Sequence, residues 1–101
     1  MSRTVIISKL AEQKLENIFQ YLTKKWSVKV KNEFITKLDK NISIIKEQPE
    51  SFPSSDKRKG LRKCVITKQT TLFYRFDKKQ IKIVTIFDTR QSPKKLKSDI
   101  K

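Results

Sequence analysis

Histidine is missing from this chain altogether. With it go the commonest general base near neutral pH and the commonest protein ligand for a transition metal. Glycine occurs once, at Gly60, which rules out a glycine-rich loop whose backbone amides cradle phosphates. Cysteine also occurs once, at Cys64, so no intramolecular disulfide forms, as expected of a protein kept in a reducing cytosol. Long apolar runs are absent too. The N-terminal MSRTVIISKLAEQ offers only Val5-Ile6-Ile7, too short for a signal peptide or a membrane span, and a cytoplasmic location is expected. Acidic residues are scarce, ten against 25 Lys and Arg. They form no group with metal-ligand spacing, so neither two-metal phosphoryl chemistry nor any other cofactor is expected.

What is present suits one small folded unit. The 101 residues fit a single domain spanning 1–101, with 91–101 as a basic C-terminal tail. Nine aromatics and many Ile, Leu and Val supply a core that a disordered chain would not have. A chain this short buries a modest share of its surface, so its stability gains from a partner. The net charge of +15 is uneven. Residues 1–56 carry ten basic against seven acidic side chains, and residues 57–101 carry fifteen against three. Such concentration points to a polyanion or a strongly acidic protein as partner.

The periodicities give the order of elements. Residues 3–7 read as a short strand, and Ser8 stands as the N-cap of a helix. Ala11, Leu15, Ile18, Phe19, Leu22 and Trp26 then recur at spacings of three and four, which predicts one apolar stripe. Ser27 is a second N-cap, and the next helix runs from about Val28 to Glu47 with Val30, Phe34, Ile35, Leu38, Ile42 and Ile45 as its stripe. So short a link makes the pair an antiparallel hairpin. Segment 48–60, with Pro49, Pro53 and Gly60, reads as a loop. Beyond it, 61–67, 70–77 and 80–88 are rich in β-branched and aromatic residues, and two-residue links make them a meander. The expected class is α+β: an N-terminal strand, joining at a sheet edge, and a helix hairpin packed on a C-terminal antiparallel meander.

Alternation sorts the meander's side chains. Leu72, Tyr74 and Phe76 form the better core set, which leaves Thr71, Phe73 and Arg75 on the face away from the helices. The face that Arg62 joins depends on hairpin register and stays open at this point. Cys64 reads as a small buried hydrophobe, with no histidine to activate it. Asp88 reads as a carboxylate that orients Arg90.

The stretch GLRKCVITKQTTLFYRFDKKQIKIVTIFDTRQSP resembles the C-terminal signature of the RelE/ParE superfamily, the toxins of bacterial type II toxin–antitoxin systems. The resemblance rests on Leu61-Arg62 opening a strand, on Tyr74-Arg75 in the middle strand, and on Asp88-Thr89-Arg90-Gln91-Ser92-Pro93 after the last strand. The preceding helix hairpin and proline-containing loop follow the same order. It implies a growth-inhibiting toxin of a plasmid-stabilisation type module, neutralised by a cognate acidic antitoxin in a hetero-oligomer.

RelE-like members cut messenger RNA on the ribosome by attack of a 2′-hydroxyl on the adjacent phosphate. The reaction needs a proton acceptor, a cation for the pentavalent phosphate and a proton donor for the leaving oxygen. Arg62 and Arg90 match two of the family's basic positions. Cys64 and Thr71 stand where further cations belong, and no tyrosine or histidine follows Arg90. Lys63, Arg75 and Lys82 are the nearby substitutes. ParE-like members share the fold without that set and act on DNA gyrase, and this branch fits better, a binder rather than an enzyme. The alternatives are a ribosome-dependent endoribonuclease and a non-toxic basic module that binds nucleic acid. Residues expected to touch target or nucleic acid are Arg58, Arg62, Arg75, Arg90, Lys94 and Lys95. Phe73 and Arg75, on the uncovered sheet face, are expected to meet the antitoxin.

Overall fold

The computed structural model describes residues 3–55 and 60–89. Strand β1 (Thr4–Ile7) leads into helix α1 (Lys9–Lys25), and helix α2 (Val28–Glu47) follows after two residues. A 3-10 turn at Pro49–Ser51 precedes β2 (Arg62–Val65), β3 (Thr70–Phe76) and β4 (Gln80–Asp88). The four strands make one sheet in the order β1-β4-β3-β2. β2, β3 and β4 form the expected antiparallel meander, and β1 joins at the edge, parallel to β4.

Both helices start where a serine caps them. Ser8 Oγ accepts from the Ala11 amide at 3.0 Å, and Ser27 Oγ accepts from the Val30 amide at 3.2 Å. Each bond satisfies one of the amides that a helix start leaves without an internal partner. Ser8 also holds the helix to the sheet, because its hydroxyl donates to the Val84 carbonyl at 2.7 Å and its amide to the Ile83 carbonyl at 3.1 Å.

The apolar stripes face the sheet and each other. Ala11, Leu15, Ile18 and Leu22 of α1 and Phe34, Leu38 and Ile45 of α2 are buried in one cluster with Cys64, Ile66, Leu72, Tyr74, Ile81, Ile83 and Ile86. Phe19 and Phe34 meet edge to face across the hairpin, 6.1 Å between ring centroids. Trp26 departs from the stripe. Its spacing from Leu22 is helical, but α1 ends at Lys25 and Trp26 is the C-cap with φ −124° and ψ −90°. Its amide still bonds the Leu22 carbonyl, while its side chain lies 68% exposed. The expectation that it belongs to the core is therefore corrected: the backbone turns before the stripe reaches it.

A bulge sets which residues of β4 reach the core. Tyr74 is paired with Ile83, yet Phe73 is paired with Thr85, so Val84 is an extra residue. An added residue moves every later side chain to the opposite face. Ile81 and Ile83 thus share the core face with Ile86 and Asp88, where unbroken alternation would have placed Thr85 and Phe87.

Candidate functional site

The register settles Arg62. It pairs with Tyr74, so it shares the helix-side face with Cys64. Its Nη1 donates to the Phe52 carbonyl at 2.6 Å and, more loosely, to the Glu50 carbonyl at 3.4 Å. Its guanidinium lies 5.5 Å from the centroid of the Phe76 ring, and that of Arg3 lies 5.5 Å from the same ring. The Arg3 Nε donates to the Asp77 carbonyl at 2.6 Å. These two cations are engaged with backbone oxygens and share an aromatic face, Arg62 tying β2 to the loop at Glu50 and Phe52 and Arg3 tying the start of β1 to the turn after β3.

Arg75 stands on the other side of the sheet. It pairs with Lys82 across β3 and β4, and alternation brings Lys63 of β2 to the same face. Its Nε is buried and has no hydrogen-bond partner, as is the Thr85 hydroxyl on that face. Arg62 and Arg75, both expected to touch target or nucleic acid, therefore do not converge. Lys63 and Lys82 join Arg75 instead, and only the strand register brings the three together.

Phe73 lies on this outer face as alternation predicts, but it offers little surface. It is 4% exposed and packs with the fully buried Leu61 in a second small cluster, flanked by Val84 and Phe87. The expectation of an open apolar face at Phe73 is corrected, because Leu61 and the bulge residue Val84 close over the ring.

The groups that ordinary acid–base chemistry would draw on are disabled by their surroundings. Burial pushes the Cys64 thiol up to about 11, and its Sγ lies 3.4 Å from Asn41 Oδ1 as a donor. Burial also pushes the Tyr74 phenol up to about 12, against a smaller opposing pull from the Arg62 charge. The Tyr74 hydroxyl donates to the Pro49 carbonyl at 2.6 Å. Asp77 is held below the usual carboxylate range by the Lys79 and Gln80 amides, at 2.7 and 2.9 Å, and shapes the turn between β3 and β4. Asp88 is buried at the end of β4, where its Oδ2 accepts from the Thr70 hydroxyl at 3.3 Å. Among the described residues no group of three or more Cys, Asp or Glu is placed to hold a metal ion, and no helix is long and apolar enough to cross a membrane. Arg58, Arg90, Lys94 and Lys95, the tail 91–101, and the pairing of Asp88 with Arg90 lie outside the described residues.

Comparison with known proteins bears on this arrangement. Residues 5–93 match the family model described as the ParE toxin of the type II toxin–antitoxin system parDE. Among solved structures, the chromosomal ParDE toxin–antitoxin system of P. aeruginosa is similar with a TM-score of 0.72 at 11% identity, covering 86% of this chain and 96% of that one. The E. coli DinJ-YafQ toxin–antitoxin complex gives a TM-score of 0.61 at 12% identity, covering 89% and 96%. YafQ from E. coli strain BL21(DE3) gives 0.58 at 14% identity, covering 87% and 94%. At these identities the structural likeness speaks for the fold. No curated protein matches the chain.

Proposed function

The chain belongs to the ParE toxin family of type II toxin–antitoxin systems, and on that premise we propose that it arrests growth by binding a DNA gyrase-type target rather than by cutting messenger RNA. The observation that carries this reading is the state of Arg62, Cys64 and Tyr74. Metal-independent cleavage of RNA needs a group that takes the 2′-hydroxyl proton and cations that meet on one phosphate. The Cys64 thiol and the Tyr74 phenol are held protonated by burial, and both hydrogens are directed to protein acceptors. Arg62 is engaged by loop carbonyls on the face opposite Arg75. Removing one electrostatic stabiliser from such a site typically costs about a hundredfold to a thousandfold in rate. A binder needs none of these groups to converge.

We further propose that an acidic antitoxin neutralises the toxin by covering it, a reading that the net charge of +15 supports. The test follows messages in cells expressing the chain by primer extension. We expect growth arrest with intact messages. Codon-phased cuts that vanish with Arg62→Ala or Arg90→Ala would replace this reading with the ribosome-dependent endoribonuclease. Binding to nucleic acid without growth arrest would replace it with the non-toxic module.

A further inference from the structure

The tip of the helix hairpin combines exposed apolar side chains with unbalanced positive charge. Trp26 and Val28 are 68% and 54% exposed there, side by side in the link and the first residue of α2. Residues 17–32 contain Lys24, Lys25, Lys29 and Lys31 and no acid. Lys24 and Lys25 end α1, where positive charge suits the helix dipole. Lys29 and Lys31 open α2, where it does not, and the first turn of α2 holds no acidic residue. Two uncovered apolar side chains therefore lie in a predominantly basic segment with four lysines, with Glu33 as the nearest acid beyond it, in the wall of the cleft beside Trp26. Beside Trp26 a cleft of about 460 Å³ opens between the hairpin and the turn joining β2 to β3, with Tyr21, Leu22, Val30 and Phe34 in its wall.

We propose that this tip is the surface by which the toxin grips its target, and that the target presents an acidic surface with an apolar recess for Trp26. The proposal rests on the reading of the chain as a binder. Charge complementarity selects an anionic partner, and the apolar groups select a protein among anionic partners. A nucleic acid could stack a base on the indole, but Val28 and the Leu22 and Val30 side of the cleft favour the apolar side chains of a protein. A tryptophan that enters a well-packed apolar pocket on a partner is the kind of side chain that dominates protein–protein affinity, and Trp26 is exposed enough to do so. Steering by the lysines would add to the association rate and make it sensitive to salt.

Trp26 is the only tryptophan of the chain, so the chain's own emission reports on the tip, read as the difference from each titrant alone. The experiment titrates the purified chain with DNA gyrase, with an oligonucleotide and with anionic vesicles, and repeats the supercoiling assay and the growth assay with Trp26→Ala and with Lys25→Glu/Lys29→Glu. Circular dichroism and melting confirm that the variants fold, which an exposed site should permit. We expect gyrase to shift the emission and each variant to lose about tenfold or more in inhibition. Undiminished inhibition by Trp26→Ala would overturn the tip as the docking surface while leaving the gyrase reading in place. Should the wild-type chain arrest growth without touching gyrase, the choice of target fails. The tip is then decided by growth: arrest lost with Trp26→Ala sustains it, and arrest kept overturns it. An emission shift with the oligonucleotide or the vesicles and none with protein also overturns it, as does a wild-type chain that arrests nothing.

Discussion

Tyr74 shows how a polar side chain is built into the centre of a small core. Its ring is fully buried, meets Phe52 edge to face at 6.3 Å, and sends its hydroxyl to the Pro49 carbonyl. Tyr74→Phe keeps the packing and leaves that buried carbonyl without its donor. We expect a loss of about 1–2 kcal/mol in urea denaturation, with the fold retained. A variant as stable as the wild type would mean that the loop carbonyl finds another donor at no cost. Cys64 and Tyr74 also make the fold sensitive to alkali. Both are neutral when protonated, and burial raises both above their ordinary values of 9.0 and 10.0, to about 11 and about 12. A group whose folded pKa is raised contributes stability that is complete below its unfolded pKa and is lost as pH rises through the folded one. The melting temperature should therefore fall progressively from about pH 9 towards pH 12. Cys64→Ala should flatten the lower part of that fall, and an unchanged slope in the variant would remove Cys64 from the account.

The elements themselves were largely written in the sequence, and the exceptions have local causes. Ser8 and Ser27 marked the helix starts because a serine hydroxyl is one of few groups that can accept from a first-turn amide. The strands were visible because their β-branched and aromatic content is unlike that of the helices. Trp26 misled because a stripe continues on paper after the backbone has stopped being helical. The bulge at Val84 had no signal, since no glycine or proline marks it, and it decides the faces of Thr85, Ile86 and Phe87. The carbonyl of this same residue accepts from Ser8, which ties the start of α1 to the middle of β4. Ser8→Ala removes the cap and this tether together. We expect about 1–2 kcal/mol of destabilisation, at the upper end of the range for a lost N-cap. Ser27→Ala, which removes a cap alone, should cost less. Equal losses for the two would show that the bond to Val84 contributes nothing.

For the molecule as one body, family and fold were legible well before the site was. Leu61-Arg62, Tyr74-Arg75 and the run from Asp88 to Pro93 gave the family because spacing along a chain survives without coordinates. The distribution of charge over faces did not, because a one-residue change of register moves a side chain through the sheet. Arg62 and Arg75 look alike in the sequence and stand on opposite faces, and Phe73 looked open until Leu61 was seen to cover it. The excess of positive charge leaves the folded chain open to stabilisation by an acidic partner that binds only its native state. The cognate acidic antitoxin should raise the melting temperature of the purified chain, by an amount that shrinks with added salt. A partner with no effect on melting would refute that pairing.

Action by binding a gyrase-type target is the claim on which the rest depends. Its sharpest check is DNA supercoiling by purified gyrase in the presence of the purified chain, with the antitoxin added in a second series. Inhibition should saturate near stoichiometric toxin and be relieved by the antitoxin. Supercoiling that proceeds unchanged at a large excess of folded toxin would contradict it.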